Sequence, residues 1–507
     1  MRLAVSLALT ALSAVAYGLA FPTTSLRLLA WVALMPFFAA LRCATVGRAL
    51  ALGWVWTTVA AYVVGDWFAS SIARYYAQPI AVGIAFFFGV SSLMAAPYYM
   101  AFAACYRVLV RRRGAAAPFL VAAAWVGAEI ARTTFMTGNP WALLGYSQIG
   151  VDRLVQIADV TGVYGITFAL VSVNAALVEL CYAGESHRRP ALLGAAAAAI
   201  MVTALLGYGQ LRLSAAADEE GRPVTVAMIQ GNLDLGTEWR ADFYGSNLGT
   251  YLRLTHGAIT RHEPEIVFWP ESALTFFLEE EPLYRQTIAS VLAPRQAQLV
   301  VGGVRKLGQY EPFSYYNSVF LLSPEGAILA TYEKQRLVPF GEYFPFAGLD
   351  VLNRRFARVR EFTPAPPSAP LPTVAGPAGV MICNEAMFPE IAAERVREGA
   401  VYLVDPAHDT WLTPKFSAQQ FDIVRLRTVE QRRYLVRAST SGPSAIVDPF
   451  GRVIVRTEFF TSTAIGGHIR PRTTVTPYYR VGDLFAYGCV LVALWTWVAR
   501  RWRGAEP

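Results

Sequence analysis

Three chemically reactive side chains of this chain each lie at the end of a short apolar run. Glu271 lies in FWPES, Lys334 in TYEKQRLVPFGEYFP and Cys383 in VMICNEAMFPE. A thiol becomes a useful nucleophile when a neighbouring base takes its proton, and a carboxylate whose pKa is raised by burial can be that base. A nearby ammonium would favour the thiolate and stabilise a developing oxyanion. The three residue types together predict acyl transfer through a cysteine nucleophile, with no histidine required.

Taken singly, each of these residues has a simpler interpretation. A glutamate after a strand is usually solvated, a lone lysine is usually surface charge, and an isolated cysteine is usually a small buried apolar residue. The other cysteines, all within or beside apolar stretches, are Cys43, Cys105, Cys181 and Cys489. The chain has no CxxC pair and no Cys/His cluster, so its sequence supports neither a disulfide framework nor a metal site.

The reactive residues lie in a region whose pattern is α/β, from about 222 to 472. Apolar, β-branched runs predict strands at 224–230, 265–271, 297–303, 317–323, 379–383 and 401–406. Amphipathic stretches at 242–261 and 416–433 predict helices between them. Buried strands separated by helices are typical of a layered α/β sandwich. The Pro/Ala-rich stretch 363–376 is expected to be an exposed loop.

The remainder of the chain has the composition of a membrane protein. Hydrophobic residues make up 55% of the sequence and charged residues 16%, and spanning a bilayer takes about 20 mostly apolar residues. Such stretches are found at 3–21, 26–42, 49–70, 79–105, 115–134, 162–184, 190–208 and within 481–500. We therefore expect eight transmembrane helices, seven of them within residues 1–210 and the eighth within 481–500. A catalytic domain is expected at 222–472.

Arginines beside the predicted spans indicate how the chain is oriented. With a cytoplasmic N-terminus, the inner ends hold Arg2, Arg42, Arg48, Arg107, Arg111, Arg112, Arg113, Arg188, Arg189, Arg500, Arg501 and Arg503, whereas the opposite short loops hold only Arg27, Arg74, Arg132 and Arg153. Short cytoplasmic loops carry the excess of positive charge. We therefore expect residues 222–472 to face outward. The net charge of +8 is explained by topology and does not call for nucleic acid.

The order Glu, Lys, Cys on a predicted α/β sandwich resembles the nitrilase, or carbon-nitrogen hydrolase, superfamily. A closer resemblance, to the apolipoprotein N-acyltransferase family, covers nearly the whole chain. It is carried by QGN at 230–232, WPES at 269–272, LVPFGE at 337–342, ICNE at 382–385, RASTSGPSAIVDPFGRV at 437–453, NPWALLGYSQ at 139–148 and QIADVTGVYGITF at 156–168. Two segments depart from the pattern of that family: Asn384 stands where a tyrosine is often found, and AHDTWL at 407–412 places His408 and Leu412 in a variant motif.

The resemblance implies a role for each reactive residue. Glu271 would deprotonate Cys383, whose thiolate would attack a phospholipid ester. Lys334 and a backbone N–H near residue 384 would stabilise the oxyanion. An amine would then take the acyl group from a Cys383 thioester in ping-pong fashion.

Other residues are expected to support the site or to contact substrate. Glu342 would either position Lys334 or Glu271 or form a structural salt bridge. Glu385 would support the site, although a solvated carboxylate is the simpler interpretation. The residues assigned to substrate contact are Trp239, Tyr343, Asn384 and Trp411, and these aromatics could equally be core or interfacial residues.

The resemblance also implies the substrates and the location. The donor would be a membrane phospholipid, the acceptor would be the α-amino group of a diacylglyceryl-cysteine apolipoprotein, and the product would complete lipoprotein maturation. We expect a monomeric, multi-pass protein of the bacterial inner membrane with a periplasmic catalytic domain, no cofactor, no metal and no nucleic-acid partner.

Two other functions remain open from sequence. A membrane-anchored amidase or nitrile hydrolase would need the same three residues, but not a lipid-facing domain. A transporter or receptor with a degenerate outer domain would be expected to carry charge pairs within its spans. The charges found there, Asp66, Glu129 and Glu179, are better explained by helix packing.

Overall fold

The computed structural model describes residues 2–21, 24, 26–110, 114–215, 221–233, 244–308, 310–343, 361–410 and 413–503. The chain forms two compact units, one of Met1–Ala215 with Arg480–Pro507 and the other of Ala216–Tyr479. Arg111, Arg112, Arg113, Trp239, Trp411 and Leu412, which entered the sequence interpretation, lie outside the described residues.

The described α-helices are numbered in chain order. They are α1 Leu3–Leu19, α2 Met35–Arg42, α3 Val46–Tyr75, α4 Ile80–Met94, α5 Ala96–Val110, α6 Ala117–Thr134, α7 Asp152–Val155, α8 Ala158–Thr161, α9 Val163–Tyr182, α10 Glu185–Ser214, α11 Tyr244–His262, α12 Pro282–Leu292, α13 Pro389–Arg397, α14 Pro414–Gln431, α15 Pro477–Val481 and α16 Leu484–Arg503. Short 3-10 helices occur at Arg27–Trp31, Leu144–Gln148, Ala293–Arg295 and Cys383–Met387.

Within the described residues of the first unit, three helices are long and apolar enough to cross a bilayer. They are α3, α9 and α10, and the bent pair α4 and α5 makes a fourth candidate if it is one broken span. Helices α1 and α16 are apolar but shorter over their apolar parts. Of the eight transmembrane helices that the sequence predicts, the described residues therefore provide three or four that are long and apolar enough.

Two predicted spans differ from the structure because prolines start new helices inside them. The stretch 26–42 is a 3-10 turn followed by α2, and Pro36 lies in the first turn of that helix. The stretch 79–105 breaks between α4 and α5, which are bent by 50°, just before Pro97. Proline lacks an N–H donor and its ring clashes with the preceding turn, so it is tolerated in the first turn and not inside a continuous helix.

The buried charges of the helical unit join helices to one another. The carboxylate of Glu129 accepts hydrogen bonds from Trp125 Nε1 (3.1 Å), Leu144 N (2.8 Å) and Thr167 Oγ1 (2.9 Å). Glu179 forms an ion pair with Arg42. These contacts agree with a helix-packing role for the two glutamates.

The described residues of the second unit form two six-stranded sheets. Their strands are β1 Val224–Gln230, β2 Ile266–Phe268, β3 Gln298–Leu307, β4 Ser314–Leu322, β5 Ile328–Glu333, β6 Leu371–Thr373, β7 Gly376–Val380, β8 Tyr402–Ala407, β9 Leu435–Ser439, β10 Ala445–Val447, β11 Val453–Arg456 and β12 Thr463–Ile469. The strand order is β12-β1-β2-β3-β4-β5 in the first sheet and β11-β10-β9-β8-β7-β6 in the second. Strands β1 to β3 are mutually parallel, as are β7 to β9.

The two sheets pack face to face and are covered on their outer faces by helices. Inward side chains such as Val226 and Phe268 of the first sheet share one core with Val404 and Val436 of the second. Helices α11 and α12 cover the outside of the first sheet, and α13 and α14 cover the outside of the second. This four-layer arrangement is the layered α/β sandwich that the sequence predicts. The prediction of a loop at 363–376 is partly wrong, because strand β6 lies within this stretch.

Candidate active site

Each reactive residue comes after the carboxyl end of a strand, and the two strands that belong to the same sheet run in the same direction. Glu271 comes three residues after β2, and Lys334 directly follows β5. Strand β5 is antiparallel to β4, which is antiparallel to β3, so β5 runs in the same direction as β2. Cys383 follows β7 in the other sheet. The site is thus assembled from both layers of the sandwich.

A glycine in β3 makes room for the turn that carries Glu271. A Cβ atom added to Gly302 would lie 2.5 Å from the Pro270 carbonyl oxygen and 2.6 Å from the Glu271 Cα atom. The turn is also tied to β3 by the bond from Gly302 N to Pro270 O (3.2 Å). A larger side chain at this position would push the Glu271 backbone away from the strand.

Cys383 has an unusual backbone conformation. Its φ angle is +56°, in the left-handed region that residues with a Cβ atom rarely adopt. It stands where β7 has ended and the 3-10 helix Cys383–Met387 begins. Such strained positions occur at functional sites, where the surrounding structure holds them in place.

The structure brings Glu271, Lys334 and Cys383 together in a buried cluster. Lys334 Nζ lies 3.3 Å from Glu271 Oε1, and the charges of Glu271 and Lys334 both shift the pKa of the Cys383 thiol, so the sulfur lies near both groups. The other oxygen of Glu271, Oε2, accepts from the backbone N–H of His408 at 2.9 Å. The side chain of Lys334 is only 1% exposed. A base, a cation and a thiol therefore share one site that is shielded from bulk water.

Glu342 and Asn317 form hydrogen bonds that fix the positions of the Lys334 and Glu271 side chains. Lys334 Nζ donates to Glu342 Oε1 at 2.9 Å, and the amide of Asn317 donates to both Glu271 Oε1 and Glu342 Oε1 at 2.7 Å. The remaining oxygen of Glu342 accepts from Val338 N at 2.7 Å. The contact with Lys334 is both a hydrogen bond and a salt bridge, so it fits both sequence interpretations of Glu342.

The electrostatics of this cluster favour a neutral thiol beside an ionised carboxylate. Burial pushes the pKa of Glu271 upward, but the Lys334 ammonium and the hydrogen bond from Asn317 hold it below its usual value. Burial, and then the Glu271 charge, raise the pKa of the Cys383 thiol. Burial lowers the pKa of Lys334, but Glu271 and Glu342 outweigh it and the net shift is upward. The sequence interpretation, in which desolvation raises the pKa of Glu271, is wrong in direction because it left out these partners.

Glu385 is a buried support and not a solvated carboxylate. It is fully buried, and its two oxygens accept from Gln335 N, Arg336 N, Ile382 N and Tyr332 Oη at 2.7 to 3.0 Å. Burial raises its pKa, against the lowering effect of Lys334 and the backbone donors. Glu385 therefore ties the segment after Lys334 to the segment that carries Cys383.

Substrate contact stays a prediction for all four residues assigned to it, and the structure describes two of them. Asn384 is buried, and its Nδ2 donates to the Arg336 carbonyl at 3.3 Å while its Oδ1 has no partner. The carbonyl of Tyr343 accepts from Phe340 N at 2.8 Å, so it belongs to the same tight turn as Glu342. Trp239 and Trp411 lie outside the described residues, and their expected contacts stay predictions. Among the described residues, no group of three or more His, Cys, Asp or Glu could hold a metal ion.

Sequence reasoning missed Asn317 and the backbone N–H of His408. Asn317 lies inside the apolar run of β4, where a polar residue with its side chain 4% exposed needs partners. Its position at the start of the buried part of β4 was the available signal. The His408 N–H carries no side-chain signal, because its role depends only on where β8 ends.

Comparisons with known proteins cover both units. Residues 13–176 match the family profile described as the apolipoprotein N-acyltransferase N-terminal domain, and residues 225–478 match that of carbon-nitrogen hydrolase. The chain is 34% identical to an apolipoprotein N-acyltransferase of Geobacter metallireducens, over 94% of this chain and 92% of the relative. It is 30% identical to that of Pseudomonas putida, over 90% of this chain and 89% of the relative.

Among solved structures, the chain is similar to the C. elegans NitFhit protein, with 20% identity and a TM-score of 0.39 over 53% of this chain and 65% of the other. It is also similar to a carbon-nitrogen hydrolase of Helicobacter pylori G27, with 14% identity and a TM-score of 0.39 over 53% of this chain and 99% of the other.

Proposed function

Because this chain belongs to the apolipoprotein N-acyltransferase family, we propose that it transfers an acyl chain from a membrane phospholipid to the N-terminal α-amino group of a diacylglyceryl-cysteine lipoprotein. The observation that carries the proposal is the ion pair of Lys334 with Glu271 in one buried cluster with the Cys383 thiol, whose pKa both groups shift. A family member that lacked this contact would have no activated nucleophile.

In the first half-reaction, Glu271 takes the thiol proton while the sulfur of Cys383 attacks the ester carbonyl. The Lys334 ammonium balances the negative charge that develops on the carbonyl oxygen. The carbon–oxygen bond of the ester then breaks, and Glu271 returns its proton to the departing glycerol oxygen. A lysophospholipid leaves, and the acyl chain remains on Cys383 as a thioester.

In the second half-reaction, the α-amine of the lipoprotein attacks the thioester and gives a proton to Glu271. The tetrahedral intermediate collapses to an amide, and the carbon–sulfur bond breaks. Glu271 then reprotonates the sulfur, so that the site returns to its starting state. The depressed pKa of Glu271 supports this cycle, because the base is ionised at neutral pH before each half-reaction.

A second function, hydrolysis of small amides, would use the same three residues. The carbon-nitrogen hydrolase match of residues 225–478 fits it equally well, whereas the match of residues 13–176 favours the N-acyltransferase. The apolar helices of the first unit give the chain access to lipid substrates, which an amidase would not need. We place the protein in the inner membrane, with its catalytic unit in the periplasm, on the basis of the arginine distribution.

The proposal is tested by incubating the purified full chain with phospholipid alone and measuring the mass of the Cys383 peptide. We expect an added fatty-acyl group on the wild-type peptide and none in Cys383→Ala. Cys105→Ala is the matched control, because Cys105 lies on α5 of the other unit, and it should acquire the adduct as the wild type does. Absence of the adduct in the wild type, together with hydrolysis of small amides, would replace this function with the amidase.

A further inference from the structure

A chain of buried hydrogen bonds leads away from the sulfur of Cys383 through residues that the proposed proton-transfer steps do not use. Gln420 Nε2 donates to Cys383 Sγ at 3.6 Å. Gln420 Oε1 accepts from Arg437 Nη2 at 2.8 Å, and Arg437 in turn forms an ion pair with Asp405. None of these three residues has a part in the reaction steps derived above.

The orientation of the Gln420 amide is determined by its neighbours. A guanidinium has N–H donors and no acceptor, so the atom of Gln420 that faces Arg437 has to be the carbonyl oxygen. The NH2 group then faces the sulfur of Cys383. The usual ambiguity in assigning the amide nitrogen and oxygen of a glutamine is therefore removed here by Arg437.

The three residues come from different elements and are all inaccessible to water. Gln420 lies on α14, Arg437 on β9 and Asp405 on β8, and each is 0% exposed. Buried ion pairs often contribute little to stability, because desolvation offsets their attraction. A stability role alone therefore does not explain why this pair ends in an amide directed at the nucleophile.

The sulfur needs a donor that cannot give up a proton. The Glu271 carboxylate beside it opposes the thiolate. An amide N–H stabilises a thiolate by hydrogen bonding but does not protonate it, so the sulfur remains nucleophilic in the first half-reaction and can leave in the second. The titratable and charged groups near the sulfur are Glu271, Lys334, Asp405, His408, Asp409 and Arg437.

We propose that Gln420 is a positioning residue which, held by Arg437 and Asp405, orients and stabilises the Cys383 thiolate as nucleophile and as leaving group. This inference deepens the proposed acyl transfer and rests on it for its catalytic meaning. Its structural content, a donor aimed at the sulfur, is independent of which substrate the thiol attacks.

The test compares Gln420→Glu with the wild type by the rate at which iodoacetamide alkylates Cys383 between pH 6 and pH 11. A glutamate is nearly isosteric and keeps the contact with Arg437, but its carboxylate has no N–H to offer the sulfur. We expect the alkylation profile to move to higher pH. At pH 8 the rate should fall about tenfold or more, which corresponds to one pKa unit. Peptide mass spectrometry on the detergent-solubilised full chain separates Cys383 from the other cysteines.

Two further variants control for folding. Gln431→Glu makes the same change at another buried glutamine of α14 and should leave the Cys383 profile unchanged. Gln420→Met removes the donor without adding a charge and should also slow alkylation, with a retained melting transition showing that the chain is folded. Unchanged alkylation in Gln420→Glu would show that Gln420 only anchors Arg437, and would overturn the inference.

The outcome is distinguishable from failure of the proposed function, because alkylation needs no lipid. If the wild type forms no acyl adduct but Gln420→Glu still shifts the profile, the acyl transfer fails and the donor to the sulfur stands. If the adduct forms in the wild type but Gln420→Glu does not shift the profile, the acyl transfer stands and the role of Gln420 as a donor to the sulfur fails.

Discussion

At the scale of single residues, the environment shifts the pKa values of Cys383 and Glu271 in opposite directions. The thiol of Cys383 is kept protonated by burial and by the Glu271 charge, while the same carboxylate is kept ionised by Lys334 and its hydrogen bonds. The proton therefore rests on sulfur, next to the base that will take it. The thiol is therefore a weak nucleophile in the resting protein, and we expect it to lose its proton to Glu271 only as it attacks a bound substrate.

Replacing the base should move two measured rates in opposite directions. In Glu271→Gln the negative neighbour of the sulfur is lost, so the pKa of Cys383 should fall and alkylation at pH 8 should become faster. Acyl-adduct formation should fall by about 10²- to 10⁴-fold, the usual contribution of a general base. The two rates are measured on the same preparation by peptide mass spectrometry.

The matched control for this prediction is Glu279→Gln, which removes a partly exposed carboxylate paired with Arg305 and should change neither rate. A slower alkylation in Glu271→Gln would contradict the prediction, because it would mean that the carboxylate assists the thiol in the resting enzyme and does not oppose its ionisation.

At the scale of elements, the turn after β2 is as important as the residue it carries. Gly302→Ala should place a methyl group within 2.6 Å of the Glu271 Cα atom and force the turn away from β3. We expect a loss of about 1–3 kcal/mol in the free energy of unfolding, the usual cost of overpacking, and slower adduct formation. Denaturant unfolding and the adduct assay measure the two effects.

A helix glycine gives the control for this substitution. A Cβ atom at Gly257 of α11 would meet no atom within 4 Å, so Gly257→Ala should leave adduct formation unchanged and stabilise the helix by about 0.5–1 kcal/mol. If Gly302→Ala unfolds and reacts like the wild type, the close approach at β3 is not what positions Glu271.

Strand positions were predictable to the extent that local pattern determines them. The run 224–230 coincides with β1, and the predicted helix 242–261 agrees with α11 over its described part, which begins at 244 and ends one residue later than predicted. The predicted strand 265–271 is longer than β2, because WPE continues the apolar run after pairing has ended. Prediction failed at 26–42, where hydropathy outweighed the helix-starting effect of Pro36. At 79–105 it missed the break before Pro97, although the bent pair α4 and α5 is still a candidate span.

Residue types indicated the three reactive side chains of the site, but they did not indicate the residues that hold those side chains in place. Cys, Glu and Lys carry recognisable chemistry, and each follows an apolar run. Asn317, Gln420 and Arg437 act through partners far away in sequence, so nothing local indicates which atoms they meet. Glu385 was given the wrong environment for the same reason, since its donors come from residues 332–336 and 382.

At the scale of the whole molecule, the arginine distribution predicts on which side of the membrane the catalytic unit lies. Tyr310 is 83% exposed in that unit, and Ser186 is exposed near the start of α10. In a background with Cys43→Ser and Cys181→Ser, Tyr310→Cys should react with a membrane-impermeant maleimide in spheroplasts of a Gram-negative host. Ser186→Cys should react only after detergent is added. Reaction of Ser186→Cys in intact spheroplasts would contradict the orientation.

The division of the reactive groups between two sheets has a consequence for biosynthesis. Glu271 and Lys334 follow strands β2 and β5 of one sheet, whereas Cys383 follows β7 of the other, and the first sheet is completed only by β12, the last described strand in the sequence. Neither sheet by itself contains a thiol next to a base. If the proposed function is right, a nascent or misfolded polypeptide cannot cleave a lipid ester, because the thiol and its base meet only when the two sheets have stacked.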